Sequence, residues 1–99
     1  MEAVLSHEAF GQSLNTKFAT FTDEGEPVEL ELVEVSELKT FPGQESFAVV
    51  FRGPNEATLG QGMRAFEHSR MGQFELFIVP FKQDAEGLYY EAIFNRFPE

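Results

Sequence analysis

The sequence predicts a mainly β protein, a small six-stranded antiparallel up-and-down barrel or roll with one short N-terminal helix. The first observation is that 12 of its 99 residues are phenylalanine, with no tryptophan or cysteine. Most of these rings alternate with other residues in short apolar runs, which is the period of a strand whose successive side chains point to opposite faces. The second observation is that every predicted connection is short, which favours antiparallel pairing in sequence order.

The helix is predicted over residues 5–14, and the barrel over residues 16–96, within a single domain that spans 1–99. Ser6 is the expected N-cap of the helix, and an acidic residue, Glu8, follows in the first turn, where it suits the helix dipole. The helix carries one apolar side that includes Phe10. We expect this side to plug or cover one end of the barrel.

Six strands are predicted from the alternating apolar runs. They span residues 16–22, 28–38, 46–52, 63–68, 73–82 and 88–96. Glycine, proline and acidic residues mark the connections between them, at 23–27, 39–45, 53–62, 69–72 and 83–87. In a meander, alternate connections lie at the same end of the barrel. The connections 23–27, 53–62 and 83–87 should therefore share one end, and their acidic residues should make that rim acidic.

The second strand contains a shift in its apolar pattern. Val28, Leu30 and Leu32 share one face, but Val33 and Val35 continue the apolar run one position out of phase. An extra residue in one strand of an antiparallel pair restores a single buried face and bends the strand. The sequence therefore predicts a β-bulge near Leu32 and Val33.

The strand over 73–82 is apolar on both faces. One face should point into the barrel, and the other, formed by Phe77, Val79 and Phe81, needs cover. The sequence leaves two sources of that cover open, the N-terminal helix and a second chain. Pro80 within this strand requires an edge, a bulge or a strand end, because proline cannot donate a ladder hydrogen bond.

The charge of the chain disfavours several partner classes. It has 17 acidic and 7 basic residues, a formal net charge of −10. We therefore expect no nucleic-acid binding and no binding to an anionic membrane surface. No apolar run approaches the ~20 residues of a membrane span, and the N-terminus lacks the basic and apolar regions of a signal peptide. These features predict a soluble cytoplasmic protein of a prokaryote or phage.

No catalytic, cofactor-binding or metal-binding motif is found, and we predict that the chain is not an enzyme. The absence of cysteine excludes thiol catalysis and Cys-ligated zinc. Neighbouring strand residues point to opposite faces, so His68 and Ser69 cannot form a nucleophile–base pair. His68 should make local hydrogen bonds, and His7 should be solvated. The acidic turn at 23–27 lacks the ligand spacing of a calcium-binding EF-hand loop.

Four segments are notable as a set. They are Phe51-Arg52-Gly53-Pro54, Glu67-His68, Gly72-Gln73-Phe74-Glu75-Leu76-Phe77-Ile78-Val79-Pro80 and Gly87-Leu88-Tyr89-Tyr90-Glu91-Ala92-Ile93-Phe94-Asn95-Arg96. Together they resemble a family of small bacterial proteins classed as a domain of unknown function. The resemblance covers nearly the whole chain and implies a single domain, with no catalytic or ligand assignment. It also keeps open a structural role in a phage-tail-like assembly.

The first functional hypothesis is a non-enzymatic structural or protein-interaction module without a cofactor, binding a protein partner or itself. The candidate contact residues are apolar on the strand 73–82 or basic near the rims: Phe77, Val79, Phe81, Arg52, Arg70 and Arg96. An acidic rim meeting a basic rim would give head-to-tail association. The alternative is a small-ligand-binding barrel with a site near Arg52, Tyr90 and the loop 53–62, although six-stranded barrels usually fill their own interior.

Overall fold

The computed structural model describes residues 5–96, with the side chain of Arg96 left out of that description. In these residues, one short helix is followed by seven strands that turns and loops connect. They are α1 (His7–Gln12), β1 (Lys17–Phe21), β2 (Pro27–Val35), β3 (Lys39–Phe41), β4 (Gln44–Gly53), β5 (Gly62–His68), β6 (Gly72–Asp84) and β7 (Gly87–Arg96). Ser6 is the N-cap of α1, as predicted, and its side chain accepts a hydrogen bond from the Ala9 N–H at 3.0 Å. The helix itself is shorter than the predicted range 5–14.

Six of the strands close into an antiparallel barrel, which confirms the predicted fold class. The order around the barrel is β1-β2-β4-β7-β6-β5, and β5 pairs back with β1. The predicted loop at 39–45 instead contains β3, which pairs with the first residues of β4 across a turn at Pro42 and Gly43. The left-handed φ of 77° at Gly43 suits such a turn.

The expected pairing in sequence order is wrong at one connection. Strands β1-β2-β4 and β5-β6-β7 each form a meander, but β4 pairs with β7 rather than with β5. Residues 54–61 therefore connect strands on opposite sides of the barrel. When extended, this segment can span up to ~26 Å, which is long enough to cross the mouth of a small barrel.

Both ends of the barrel are closed by apolar side chains. At one end, α1 inserts Phe10, which is fully buried and meets a set of aromatic rings at 5.2–6.3 Å: Phe18, Phe47, Phe74 and Phe94. At the other end, the segment 54–61 inserts Leu59, which is also buried. The helix thus plugs the barrel, one of the two roles predicted for it.

Two bulges shape the strands. The register of β2 against β4 shifts between Leu32 and Glu34, which confirms the bulge predicted from the apolar pattern. The register of β6 against β7 shifts between Pro80 and Lys82. This second bulge is the kind of position in which a proline is tolerated within a strand.

Aromatic rings fill the barrel interior. Phe51 lies 5.2 Å from both Phe18 and Phe66, measured between ring centroids, and the ring of Tyr90 is fully buried beside them. Phe47 and Phe51 are buried, and Phe74 and Phe94 pack against the core. The barrel interior is therefore filled by side chains.

Candidate functional site

The outer face of the barrel carries a row of exposed apolar side chains, one on each of four adjacent strands. The exposed fractions of these side chains are 58% for Phe21, 59% for Met63, 50% for Phe77 and 64% for Ile93. Phe81, at the β6 bulge, is 52% exposed, and Val79 is half-buried between it and Phe77. We call these six residues the apolar band.

Strand pairing brings the members of the band together. Met63 lies directly opposite Phe77 in the β5–β6 ladder. Phe21 and Met63 line one surface depression between β1 and β5. Val79 lies opposite Glu91 of β7. Ile93 follows Glu91 by two residues and lies on the same face of that strand. Since neighbouring strands are 4.7–4.9 Å apart, the four strands give the band a width of about 14 Å.

The opposite side of the barrel, around β2 and β4, is charged. Glu31 Oε1 lies 3.1 Å from Arg52 Nη2 and 3.8 Å from Lys17 Nζ. Arg52 Nη1 lies 3.9 Å from Glu86 Oε2. The guanidinium of Arg52 is therefore already paired with carboxylates of its own chain.

The structure does not assemble the predicted ligand site. Arg52 points outward to Glu31, whereas Tyr90 points into the barrel, where its hydroxyl accepts a hydrogen bond from the Leu59 N–H at 3.0 Å. Burial raises the pKa of this hydroxyl. Tyr90 thus fixes the loop 54–61 over the barrel mouth, on the other side of the wall from Arg52.

The other two basic candidates lie at the helix end of the barrel. Arg70, in the turn between β5 and β6, donates from Nη1 to the Gln12 carbonyl at 3.3 Å. The backbone of Arg96 lies opposite Glu45, whereas Arg52 lies opposite Tyr89 in the same β4–β7 ladder. Arg52 and Arg96 are therefore at opposite ends of the barrel.

The helix does not cover the outer face of β6. The prediction that the N-terminal helix covers this face, one of the two alternatives left open by the sequence, is therefore wrong. Its large apolar residue, Phe10, is buried among interior rings, and this inward insertion holds α1 at the barrel end. Phe77 and Phe81 stay half exposed.

The three connections expected to share a rim do meet at one end. Gly60 N–H donates to Asp23 Oδ2 at 3.3 Å, and Asn55 donates to the Asp84 carbonyl at 3.1 Å. Arg64 pairs with Asp23, and this contact lowers the pKa of that carboxyl. The carboxylate of Asp23 is thus used to fasten the loop. The opposite end carries both signs of charge, with Arg70 in the β5–β6 turn and Glu8 in the first turn of α1.

The comparisons with known proteins give one match. The sequence model of a family described as a Domain of unknown function (DUF6916) matches residues 5–94. The chain belongs to this family. The match confirms the resemblance seen in the sequence segments, and it covers the helix and nearly all of the barrel. No curated protein and no solved structure matches the chain.

Two features are absent from residues 5–96 of the DUF6916 chain. Within residues 5–96, no group of three or more His, Asp or Glu side chains is placed to hold a metal ion. The same residues contain no helix with the length and apolar character needed to cross a bilayer.

Three hydrogen bonds fix the imidazole ring of His68 in the DUF6916 chain. Its Nδ1 accepts hydrogen bonds from the N–H groups of Arg70 and Met71, both at 3.1 Å. Its Nε2 lies 2.8 Å from Thr16 Oγ1, which itself donates to the Ser13 carbonyl. Nε2 must therefore carry the proton and donate, and the ring is neutral. The local bonds were predicted, but the bond to Thr16 was not.

The second histidine departs from the prediction. His7 was expected to be solvated, but its Nε2 lies 2.8 Å from the Ser36 carbonyl, and its ring packs edge-on against Phe47. The helix therefore contacts the end of β2 through a polar group as well as through Phe10. Alternation rules could not reveal this contact, because it joins residues 29 positions apart.

We expect the stability of the DUF6916 chain to fall as the pH drops below about 6.5. Burial, reinforced by the charge of Arg70, lowers the pKa of His68 in the folded state from 6.5. The unfolded state then binds more protons in this range, so the contribution of neutral His68 is complete above pH 6.5 and is lost at lower pH. Urea unfolding at pH 7.5 and pH 5.5 measures the difference.

The matched variant is His68→Phe, which keeps a ring against Phe18 but cannot be protonated. It should be less stable at pH 7.5, because two backbone N–H groups lose their acceptor. Its stability should also change less between the two pH values. An equal change in both proteins would contradict the role given to His68.

Proposed function

We propose that this chain is a non-enzymatic protein-interaction module that docks through the apolar band, as a subunit of a larger assembly. The observation that carries the proposal is the row of half-exposed apolar side chains on β1, β5, β6 and β7. Contiguous exposed apolar patches on soluble proteins often mark contact sites. The barrel itself does not need these residues, because outward strand positions accept polar side chains.

The band offers enough area to matter energetically. Full burial of a large apolar side chain contributes roughly 1.5–3 kcal/mol, so burying the exposed half of four such residues contributes on the order of 3–6 kcal/mol. Association also costs translational and rotational freedom. The band can therefore form the centre of an interface, which polar contacts at its rim would complete.

The charges near the band favour a different protein over a second copy of this chain. Glu75 precedes Phe77 by two residues on the outer face of β6, and Glu91 lies opposite Val79. Two copies, each with a formal charge of −10, would bring like charges together around the contact. A partner with an apolar centre and basic residues around it would complement this surface.

Hydroxyl-radical labelling of the protein in its producing cells and after purification tests the proposal. In the purified chain, Met63 and Phe77 should be oxidised readily, because both are half exposed. In cells, a partner on the band should lower their oxidation several-fold. Phe41 is the internal control, since its 57% exposure is similar but it lies on β3, away from the band.

Protection of Met63 and Phe77 with unchanged labelling of Phe41 would support a contact at the band. Equal labelling of all three residues in cells and in the purified protein would contradict the proposal. A uniform decrease that includes Phe41 would contradict the proposal as well. A lower radical dose in cells would then explain the decrease, with no protection specific to the band.

A further inference from the structure

A second and larger depression lies over the seam between β1 and β5, next to the one that Phe21 and Met63 line. Its volume is ≈ 640 Å³. Ala19 and Ala65 form part of its lining, together with the rings of Phe21 and Phe74 and the carboxylate residues Glu67 and Glu75. The depression therefore combines an apolar base with two acidic groups.

The depression exists because β1 and β5 are loosely joined. A single pair, Ala19 and Glu67, is in register between these strands. At the next position, the hydroxyl of Thr20 donates to the Ala65 carbonyl at 2.7 Å, so a side chain takes the place of a ladder bond. The small side chains of Ala19 and Ala65 leave space above this seam, and the ring of Phe74 lines it from the barrel side.

The two carboxylates lack a basic partner within the described chain. None of the lining residues is lysine or arginine. The ion pairs that the described residues form involve Asp23, Glu31 and Glu86 as acids, and not Glu67 or Glu75. Glu67 Oε2 accepts only from a neutral donor in that region, the side-chain amide of Gln73, at 2.9 Å.

We propose that this depression receives a lysine or arginine side chain of the protein partner that docks on the apolar band. The aliphatic stem of such a side chain would pack on Ala19, Ala65 and Phe21, and its charged head would face Glu67 and Glu75. Long basic side chains bury their stems in this way while the head stays at a polar rim. The source is a partner protein because Phe21 belongs to both the depression and the band, which makes them one surface. The inference rests on the proposed function.

The test is a ¹⁵N–¹H NMR titration of the purified full chain with each of three blocked tripeptides. The probes are N-acetyl-Leu-Arg-Leu-amide, the neutral isostere with citrulline in place of arginine, and the acidic peptide with glutamate at the same position. The arginine peptide should shift the amide signals of Ala19, Ala65 and Glu67 in a saturable way. It should bind more weakly at high salt, and the other two peptides should bind much less.

Variants of the chain identify the groups responsible. Glu67→Gln with Glu75→Gln should weaken the arginine peptide about three- to tenfold, the range for two exposed charge contacts. Glu34→Gln with Glu37→Gln removes the same charge from exposed positions outside the depression and should leave binding unchanged. Ala65→Leu, also at an exposed position, should fill the depression and abolish the shifts.

The inference is overturned if the arginine peptide causes no saturable shifts around the depression, or if the citrulline peptide binds equally well. It is also overturned if both double variants weaken binding to the same extent, since the effect would then reflect net charge alone. Its failure can be told apart from that of the proposed function. Protection of Met63 and Phe77 in cells, without peptide binding here, would leave the band as a contact surface and reject the basic side chain.

Discussion

Replacing Phe10 with alanine should lower the free energy of unfolding by about 3–5 kcal/mol, the range for removal of a buried phenylalanine ring. Phe10 is fully buried, and its ring contacts Phe18, Phe47, Phe74 and Phe94. It is also the residue by which a helix of only six residues is anchored in the barrel. The loss is large because four neighbouring rings would line the resulting cavity. Urea unfolding monitored by circular dichroism measures it.

The matched control is Phe41→Ala, which removes the same side chain from an exposed strand position. It should change the free energy of unfolding by no more than about 0.5 kcal/mol, as surface substitutions usually do. A loss below about 1 kcal/mol for Phe10→Ala would mean that the barrel end closes without the helix. The role of α1 as a plug would then be wrong.

Much of the fold follows from local patterns in the sequence. The period of two in the apolar runs fixes which residues point inward, and Phe51 and Ile78 are fully buried as that period requires. Ser6 marks the helix start because its hydroxyl can accept a free N–H group there. The phase slip at Leu32 and Val33 marks the bulge because only an inserted residue restores one buried face.

Strand order does not follow from such patterns. The pairings of β4 with β7 and of β1 with β5 join residues far apart in the chain, and alternation is the same for any partner. The segment 54–61 is glycine-containing and polar, which suits a surface loop as well as a crossing of the barrel mouth. The small strand β3 was missed because its three residues are all exposed and show no alternation.

The candidate surface was predicted only in part, for the same reason. Phe77, Val79 and Phe81 repeat on one face of one strand, so a single run of sequence reveals them. Phe21, Met63 and Ile93 are large apolar residues on the outer faces of three other strands. Only the order β1-β5-β6-β7 makes them neighbours of Phe77. An outward apolar residue in each of several strands is a usable signal once strand order is known.

Phe77→Asp should have the largest effect on the proposed contact while leaving the fold intact. Phe77 lies at the centre of the band, opposite Met63, and half of its ring is already in water. The substitution should therefore change stability by no more than about 1 kcal/mol. At an interface, however, it would bury an unpaired carboxylate in apolar surroundings. We expect a loss of at least about 2 kcal/mol in binding, or ~30-fold in affinity.

The most direct measurement of this effect is photo-crosslinking in the producing cells, with benzoylphenylalanine at position 93 of the band. If the band is the contact surface, a discrete crosslinked product should form in the otherwise unchanged chain and in the Phe41→Asp variant, which carries the same substitution outside the band. The product should fall at least tenfold in the Phe77→Asp variant. A product that persists in the Phe77→Asp variant, or that is absent from the otherwise unchanged chain, would contradict the band as the contact surface.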